Sequence, residues 1–293
     1  QIRVKKMKKY LSLAMCLVLV GVCMCLVGCG TNYNYDASGF SVGETELVTT
    51  PDNIYIDWLG GSVKVEYHTA DTVTLAESGA KNDDMRLRWK LTDDNSLFVK
   101  YCAPRSRVVV GVGKKLTLTL PENFRATNIE FDTVAASVTT AVLSAQKIKA
   151  NTVSGNVSLW VANTQSVTVD TVSGRIDVVQ NGTADTIDVD TTSGAVAIQA
   201  DNAKSVSVDT TSGSVSVAAK QSDKISVDTT SGSVSLQIPQ EVGFVATFAT
   251  LSGKASGEAA YAVQDGKYVY GGGKTQISVN TVSGNLNLPA YVG

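Results

Sequence analysis

Apolar and polar residues alternate in short segments along most of the chain, and pairs of these segments flank a recurring Ser-Gly dipeptide. In the regular part, apolar residues lie seven and five positions before the glycine and two and four positions after it. This alternation with a period of two predicts a short strand with one buried face on each side of the dipeptide. The buried parity changes between the two strands. The Thr-x-Ser-Gly segment therefore predicts a bend, with the glycine free to adopt a positive φ.

The spacing of the glycines indicates the fold class. Successive glycines are 19, 20, 19, 19, 21 and 31 residues apart. A period of about 20 residues is typical of a solenoid, in which each coil buries its apolar face only by stacking on its neighbours. The pattern predicts an all-β fold, a single-stranded parallel β-helix (β-solenoid), with degenerate coils around Gly61 and Ala136. The aligned glycines are Gly155, Gly174, Gly194, Gly213, Gly232, Gly253 and Gly284.

The decapeptide SVDTTSGSVS occurs at both Ser207–Ser216 and Ser226–Ser235, and its repetition favours a scaffold over a unique active site. The wider D-T-x-S-G-x-V repeat, the early GGSVKV strand and the LTLTLP segment resemble the bacterial putative-adhesin family. This family is a domain of unknown function in secreted and lipid-anchored proteins, and the resemblance implies a β-helix at the cell surface. The repeat occupies Asp170–Ile176, Asp190–Val196, Asp209–Val215 and Asp228–Val234.

The first part of the chain has the pattern of a secretory signal. Two lysines follow Met7 and precede an uncharged apolar run that ends in the lipobox-like sequence Leu26-Val27-Gly28-Cys29. The pattern predicts a lipoprotein signal peptide at residues 1–28, with Met7 as the initiator, and a diacylglycerol anchor on Cys29. We expect a tether at 29–50 and a β-helix domain at 51–293, irregular at 51–125, regular at 126–253, with an insertion and last coil at 254–293.

Removal of this signal would leave an acidic mature chain. The signal holds five of the 25 Lys and Arg residues, so 20 remain against 27 Asp and Glu, a net charge of −7. That charge excludes an electrostatic surface for nucleic acid and disfavours contact with anionic lipid, so we expect the acyl anchor to hold the protein to the membrane. Cys102 is the one cysteine after Cys29. We therefore expect no internal disulfide and a buried thiol.

An aspartate recurs four residues before the repeat glycine, and two interpretations of it remain open. The row could bind Ca²⁺ weakly, since stacked carboxylates would repel one another without a cation. Alternatively, each carboxylate could cap the turn by accepting backbone N–H groups of Thr-x-Ser-Gly, and Asn151 and Asn280 in the same position favour this cap. The aspartates of the regular repeats are Asp170, Asp190, Asp209 and Asp228.

The strongest departure from the repeat lies between Gly253 and Gly284, in the insertion at about residues 254–275. Asp265-Gly266 predicts a hairpin turn within it. Three tyrosines make it a candidate binding loop, because exposed tyrosine contacts sugars and proteins well. A cap that covers the apolar edge of the last coil is the equal alternative. The candidate contacts are Tyr261, Tyr268 and Tyr270.

The residues that could carry catalysis do not form a typical constellation. No Ser-His or Cys-His pair can be argued for His68, the one histidine of the sequence. Arg175 with Asp177 is more typical of a surface ion pair than of a lyase site. We expect a non-enzymatic protein without a cofactor, apart from the Ca²⁺ considered above.

The function that these patterns favour is a binding, adhesion or structural module of the bacterial cell envelope. It would be exported and lipid-anchored on the outer side of the cell membrane, or on the outer membrane of a Gram-negative cell. Besides the membrane, the expected partners are a glycan, peptidoglycan or an envelope protein. The alternatives are a polysaccharide-acting β-helix enzyme and an envelope-stress sensor or regulatory module.

Overall fold

The computed structural model describes residues 31–108 and 113–291, and these residues form an all-β fold. The predicted β-solenoid class is confirmed, whereas the signal peptide lies outside the described residues. Within the described ranges, no helix is long and apolar enough to cross a membrane. The strands are β1 (Thr31–Tyr33), β2 (Ser41–Val42), β3 (Thr45–Leu47), β4 (Asn53–His68), β5 (Val73–Ser78), β6 (Arg88–Leu91), β7 (Ser96–Lys100), β8 (Ser106–Val108), β9 (Lys114–Pro121), β10 (Ala126–Leu143), β11 (Ala145–Thr152), β12 (Val157–Thr171), β13 (Ile176–Thr191), β14 (Val196–Thr210), β15 (Val215–Thr229), β16 (Val234–Gln237), β17 (Phe244–Ala249), β18 (Ala255–Ser256), β19 (Ala262–Gln264), β20 (Lys267–Tyr270), β21 (Thr275–Asn280) and β22 (Leu286–Asn287), and a 3-10 turn occupies Asp83–Met85.

Two compact units divide the described chain. The first contains residues 31–108, 113–139 and 150–156, and the second contains residues 140–149 and 157–291. In the first unit, β4 runs parallel to β7 along its first part and parallel to β9 along its second part. β5 pairs antiparallel with β9, and β6 pairs antiparallel with β7. Its fully buried core includes Ile54, Ile56, Trp58, Leu97, Leu116 and Leu118.

In the second unit, β12, β13, β14 and β15 stack in parallel, so that equivalent residues of successive coils lie opposite each other. Each strand is 15 or 16 residues long and runs from one Thr-x-Ser-Gly bend to the next. The prediction of two separate short strands per coil is therefore wrong at the corner midway between these bends. At that corner the ladder continues with a local register shift, and Asn163 and Gly182 turn the backbone with φ values of 49° and 72°. The buried columns are Val157, Ile176, Val196, Val215 and Val167, Ile187, Val206, Ile225.

The last coils of the second unit do not stack in chain order. β21 pairs with β15 on one side and with β17 on the other, so that Ile277 lies between Ile225 and Ala246. Similarly, β22 lies between β16 and β18. Residues 275–288, called the interposed segment below, therefore fill a slot between two coils that precede it in the chain.

The connection after β16 explains how this slot arises. The N–H groups of Val242 and Gly243 both donate to the carbonyl of Pro239, which closes a turn directly after the coil. After this turn, β17 does not pair with β15 but lies one strand further along the stack. The space left between β15 and β17 is filled by β21. The bends follow the same order, since Gly284 packs on Gly232 and Gly253 packs on Gly284.

Candidate functional site

The Thr-x-Ser-Gly bends form a regular array of polar groups along the described coils. In six bends, the glycine N–H donates to the Oγ1 of the threonine three residues earlier, at 2.8–3.0 Å. The threonine is the residue after the repeat's acidic position, which holds aspartate in three of these bends, asparagine in two and alanine in one. Its hydroxyl closes the turn. The six pairs are Thr152–Gly155, Thr191–Gly194, Thr210–Gly213, Thr229–Gly232, Thr250–Gly253 and Thr281–Gly284.

The repeat glycines are required by close contact between coils. A Cβ on Gly213 would lie 1.8 Å from the carbonyl oxygen of Gly194, and one on Gly232 would lie 1.9 Å from that of Gly213. These glycines do not adopt a positive φ, so the sequence-based reason for them is wrong at these positions. Gly174 is different, with a φ of 132°. The bends therefore lack room for a side chain at the point where one coil meets the next.

The aspartates Asp170, Asp190, Asp209 and Asp228, called the acidic row below, lie opposite one another in successive coils. Burial first, and then the neighbouring carboxylates of Asp209 and Asp170, raise the pKa of the Asp190 carboxyl to about 7. The pKa of Asp170 is also raised, chiefly by burial. Asn280 continues the row, and its Nδ2 donates to Oδ1 of Asp228 at 2.8 Å.

The turn-capping interpretation of the acidic row is wrong for two of the amides that it assigned to the aspartates. The glycine N–H is bonded to threonine, and the serine N–H donates to a carbonyl of the preceding coil at 3.0 Å, as in Ser193 to Val172, Ser212 to Thr192 and Ser231 to Thr211. Among the described residues, no group of three or more His, Cys, Asp or Glu side chains could hold a metal ion. Weak Ca²⁺ binding by the row stays a prediction.

The insertion folds as a hairpin that covers a strand edge. Asp265 and Gly266 have φ values of 48° and 73°, as expected for the predicted two-residue turn between β19 and β20. β20 then pairs antiparallel with β17, where it covers Phe244–Ala246. This pairing favours the cap alternative, because it protects an otherwise open strand.

The three tyrosines of the insertion differ in accessibility. Tyr270 is only 7% exposed and its ring centroid lies 5.3 Å from that of Phe244, so its assignment as a ligand contact is wrong. Tyr261 and Tyr268 are half-buried and pack edge to face at 5.3 Å. They are partly accessible and stay candidate contacts.

Trp160 is an exposed aromatic residue that the sequence reasoning missed. Its side chain is 47% exposed on the outer face of β12, and Val179, Gln199 and Ala218 occupy the same position in the next coils. An outward tryptophan within a repeat of small residues is the signal that could have identified it.

A polar pair accompanies this tryptophan on the same face of the second unit. The Arg175 guanidinium binds the Asp177 carboxylate in a two-pronged contact of 2.8 and 2.9 Å. Asp177 lies opposite Ser158, which is two residues from Trp160 on β12. The face thus combines an aromatic ring with oriented hydrogen-bonding groups.

The first unit contains a buried cluster that local patterns did not indicate. Lys114 is 1% exposed, and its Nζ lies 2.8 Å from Oε2 of Glu77, whose side chain is 5% exposed. The Nζ also lies 4.6 Å from the ring centre of Trp58 and 4.5 Å from that of Tyr101, and it donates to the Tyr101 carbonyl. Burial lowers the pKa of Lys114, while Glu77 opposes that shift.

Two other residues of the first unit have clear structural roles. The Tyr33 hydroxyl donates to Oδ2 of Asp57 at 2.5 Å, and the Lys100 ammonium binds the same oxygen at 3.1 Å. Cys102 is buried, as predicted, and burial raises the pKa of its thiol to about 11. A thiol with such a pKa is a poor nucleophile at neutral pH. Cys29, the predicted lipidation site, lies outside the described residues.

Comparison with known proteins gives a family match over most of the chain. The family model described as Toastrack DUF4097 matches residues 52–289. A "putative adhesin" structure from Bacteroides fragilis is 15% identical with a TM-score of 0.48, and the match covers 86% of this chain and 97% of that one. A "putative cell adhesion protein" from Clostridium sporogenes is 13% identical with a TM-score of 0.25, over 85% and 100% of the two chains. A "putative lipid binding protein" from Parabacteroides distasonis is 14% identical with a TM-score of 0.36, over 86% and 97%. No curated protein matches the chain.

Proposed function

The chain belongs to the Toastrack DUF4097 family, and on this premise we propose that it is an exported, lipid-anchored binding module of the bacterial cell envelope. The lipobox-like Leu26-Val27-Gly28-Cys29 supports the anchor, because a small residue directly precedes a cysteine at the end of an apolar run. The anchor would hold the β-solenoid on the outer side of the membrane and present its outward side chains to other envelope components.

The observation that carries the binding role is that different positions of each coil serve the fold and face the solvent. Inward Val and Ile residues fill the core, and threonine and glycine close the bend. The outward side chains neither fill the core nor close the bend, so they can differ from coil to coil without loss of the fold. Trp160 is the clearest case, since its equivalents are Val179, Gln199 and Ala218.

The chemistry of this face favours a glycan ligand. A sugar ring presents a C–H face, which packs on an exposed aromatic ring, and hydroxyl groups, which bind planar polar side chains. Trp160 supplies the ring, and the Arg175–Asp177 pair and Gln199 supply donors and acceptors. Tyr261 and Tyr268 offer a second, smaller aromatic contact.

Anchoring is tested by fractionation of cells that produce the full chain or its Cys29→Ser variant. We expect the unchanged chain in the membrane fraction, with incorporation of labelled fatty acid. The variant should stay unprocessed or appear outside the membrane fraction, without label. Equal labelling and equal membrane retention of both chains would contradict lipid anchoring.

Binding is tested with the full chain in detergent and with insoluble peptidoglycan and neutral polysaccharides as probes. Trp160→Ala should reduce co-sedimentation at least about tenfold, in line with the loss of a central aromatic contact. Leu251→Ala, another exposed apolar residue in the second unit, is the matched control and should bind normally. Equal co-sedimentation of the Trp160 variant and the unchanged chain, at equal far-UV dichroism, would contradict the role of this face.

A further inference from the structure

The slot between β15 and β17 accepts its strand through contacts that are complete on both sides. Ile277 and Val279 enter the buried column with exposures of 3% and 0%. Oγ1 of the fully buried Thr275 donates to the Ser222 carbonyl at 2.8 Å, and Asn280 binds Asp228 at the same distance. The slot therefore selects an extended segment with apolar residues at alternate positions and an asparagine at its end.

The second half of the interposed segment is held in the same way. Leu286 and Leu288 are fully buried, and their N–H groups donate to the carbonyls of Lys254 and Ser256. The Val234 N–H donates to the Asn285 carbonyl at 2.8 Å. Each of these partners lies in a coil that precedes the segment in the chain. The strand edges that line the slot therefore belong to residues outside the interposed segment.

A glycine run connects the slot to the cap. Gly271, Gly272 and Gly273 lie between β20 and the interposed segment, and Gly271 and Gly273 have φ values of 54° and 67°. β20 pairs with β17 on the edge opposite the slot. Rotation about these glycines can therefore carry the interposed segment away while the hairpin stays paired.

We propose that the slot is a strand-exchange site, and that its partner is the interposed segment of a second copy of this chain. The segment makes identical contacts in either copy, so the exchanged and unexchanged forms differ only in the glycine hinge and in the entropy of association. Reciprocal exchange closes a two-fold dimer, and a high local concentration of the protein favours it. This inference stands independently of the proposed glycan binding.

Introduced cysteines give a direct test with the full chain. Ser226 in β15 and Ser278 in β21 are register partners. Neighbouring strands lie about 4.8 Å apart, which suits a disulfide. One preparation carries Ser226→Cys and the other carries Ser278→Cys. After mixing and mild oxidation, we expect a disulfide-linked pair of chains that joins these two positions, identified by peptide mapping.

Two controls make the result decisive. Ser207→Cys lies opposite Ser226 and thus one coil away from β21, so its mixture with Ser278→Cys should give only the background of the unsubstituted chain. A single chain with both Ser226→Cys and Ser278→Cys should form the disulfide internally, which shows that the geometry is correct. If the double variant cross-links internally while the mixed single variants stay at background, the interposed segment does not exchange and the proposal is overturned.

Discussion

Asp190 lies in the acidic row, and both of its register neighbours, Asp170 and Asp209, are carboxylates. Burial and the charges of Asp209, Asp170 and Asp188 raise its pKa to about 7. At the end of the same row, Asn280 donates to Asp228, so an amide side chain is compatible with this position. A charged carboxylate at Asp190 therefore costs stability that a neutral side chain of the same shape would not.

Asp190→Asn should consequently stabilise the protein at alkaline pH. The pKa in the folded state lies above that of the unfolded chain, so between about pH 4 and pH 7 the folded state binds more protons. The contribution of this group to stability falls as the pH rises through that window. We expect the variant to gain about 1–2 kcal/mol in the free energy of unfolding at pH 8 and little at pH 4. Urea unfolding at several pH values measures this.

Asp265→Asn is the control for that series. Asp265 lies in the exposed hairpin turn, away from the acidic row, and asparagine also tolerates its positive φ. Its pH profile of stability should match that of the unchanged chain. An Asp190→Asn profile with the same pH dependence as the unchanged chain would show that Asp190 carries no such penalty.

At the scale of the strands, the buried pair Lys114 and Glu77 joins β9 to β5. Oε1 of Glu77 also accepts the Leu87 N–H at 2.8 Å, so the carboxylate organises a third segment of the first unit. Removing one member of a buried ion pair leaves the other charge without compensation, whereas replacing both members avoids that cost.

We therefore expect Lys114→Met to cost about 3–5 kcal/mol of unfolding free energy, which chemical denaturation measures. The double variant Lys114→Met/Glu77→Gln should recover a large part of this loss, because glutamine can still accept the Leu87 N–H. Lys115→Met, on the exposed side of the same strand, is the matched control and should change stability by less than about 0.5 kcal/mol. If Lys114→Met lowers the unfolding free energy no more than Lys115→Met does, the stabilising role of the Lys114–Glu77 pair is contradicted.

The strands also show which features a local pattern can predict. The alternation around each glycine predicted the coils because every coil repeats the same local burial, and Asp265-Gly266 predicted its turn because that conformation depends on two residues. Lys114 could not be predicted, since its partners Glu77, Trp58 and Tyr101 are distant in the chain. The partner of the glycine amide in each bend was also mistaken, because adjacent aspartate and threonine oxygens compete for it and only the coil geometry selects the threonine.

Over the second unit as a whole, chain order and spatial order diverge. The 275–280 sequence has the same alternation as any other coil, so no local feature indicates that it lies between β15 and β17. In a stack of coils, stability comes mainly from contacts between spatial neighbours. Local opening should therefore follow position in the stack rather than position in the chain.

Hydrogen exchange on the whole protein tests this order. β21 has a paired strand on both sides, whereas β20 covers β17 only at Phe244–Ala246 and leaves Thr247–Ala249 paired with β21 alone. Backbone amides that lack a second strand exchange through smaller openings. We expect the amides of Ile277–Val279 to exchange at least about tenfold more slowly than those of Thr247–Ala249. The reverse order of protection would contradict the expectation that local opening follows position in the stack.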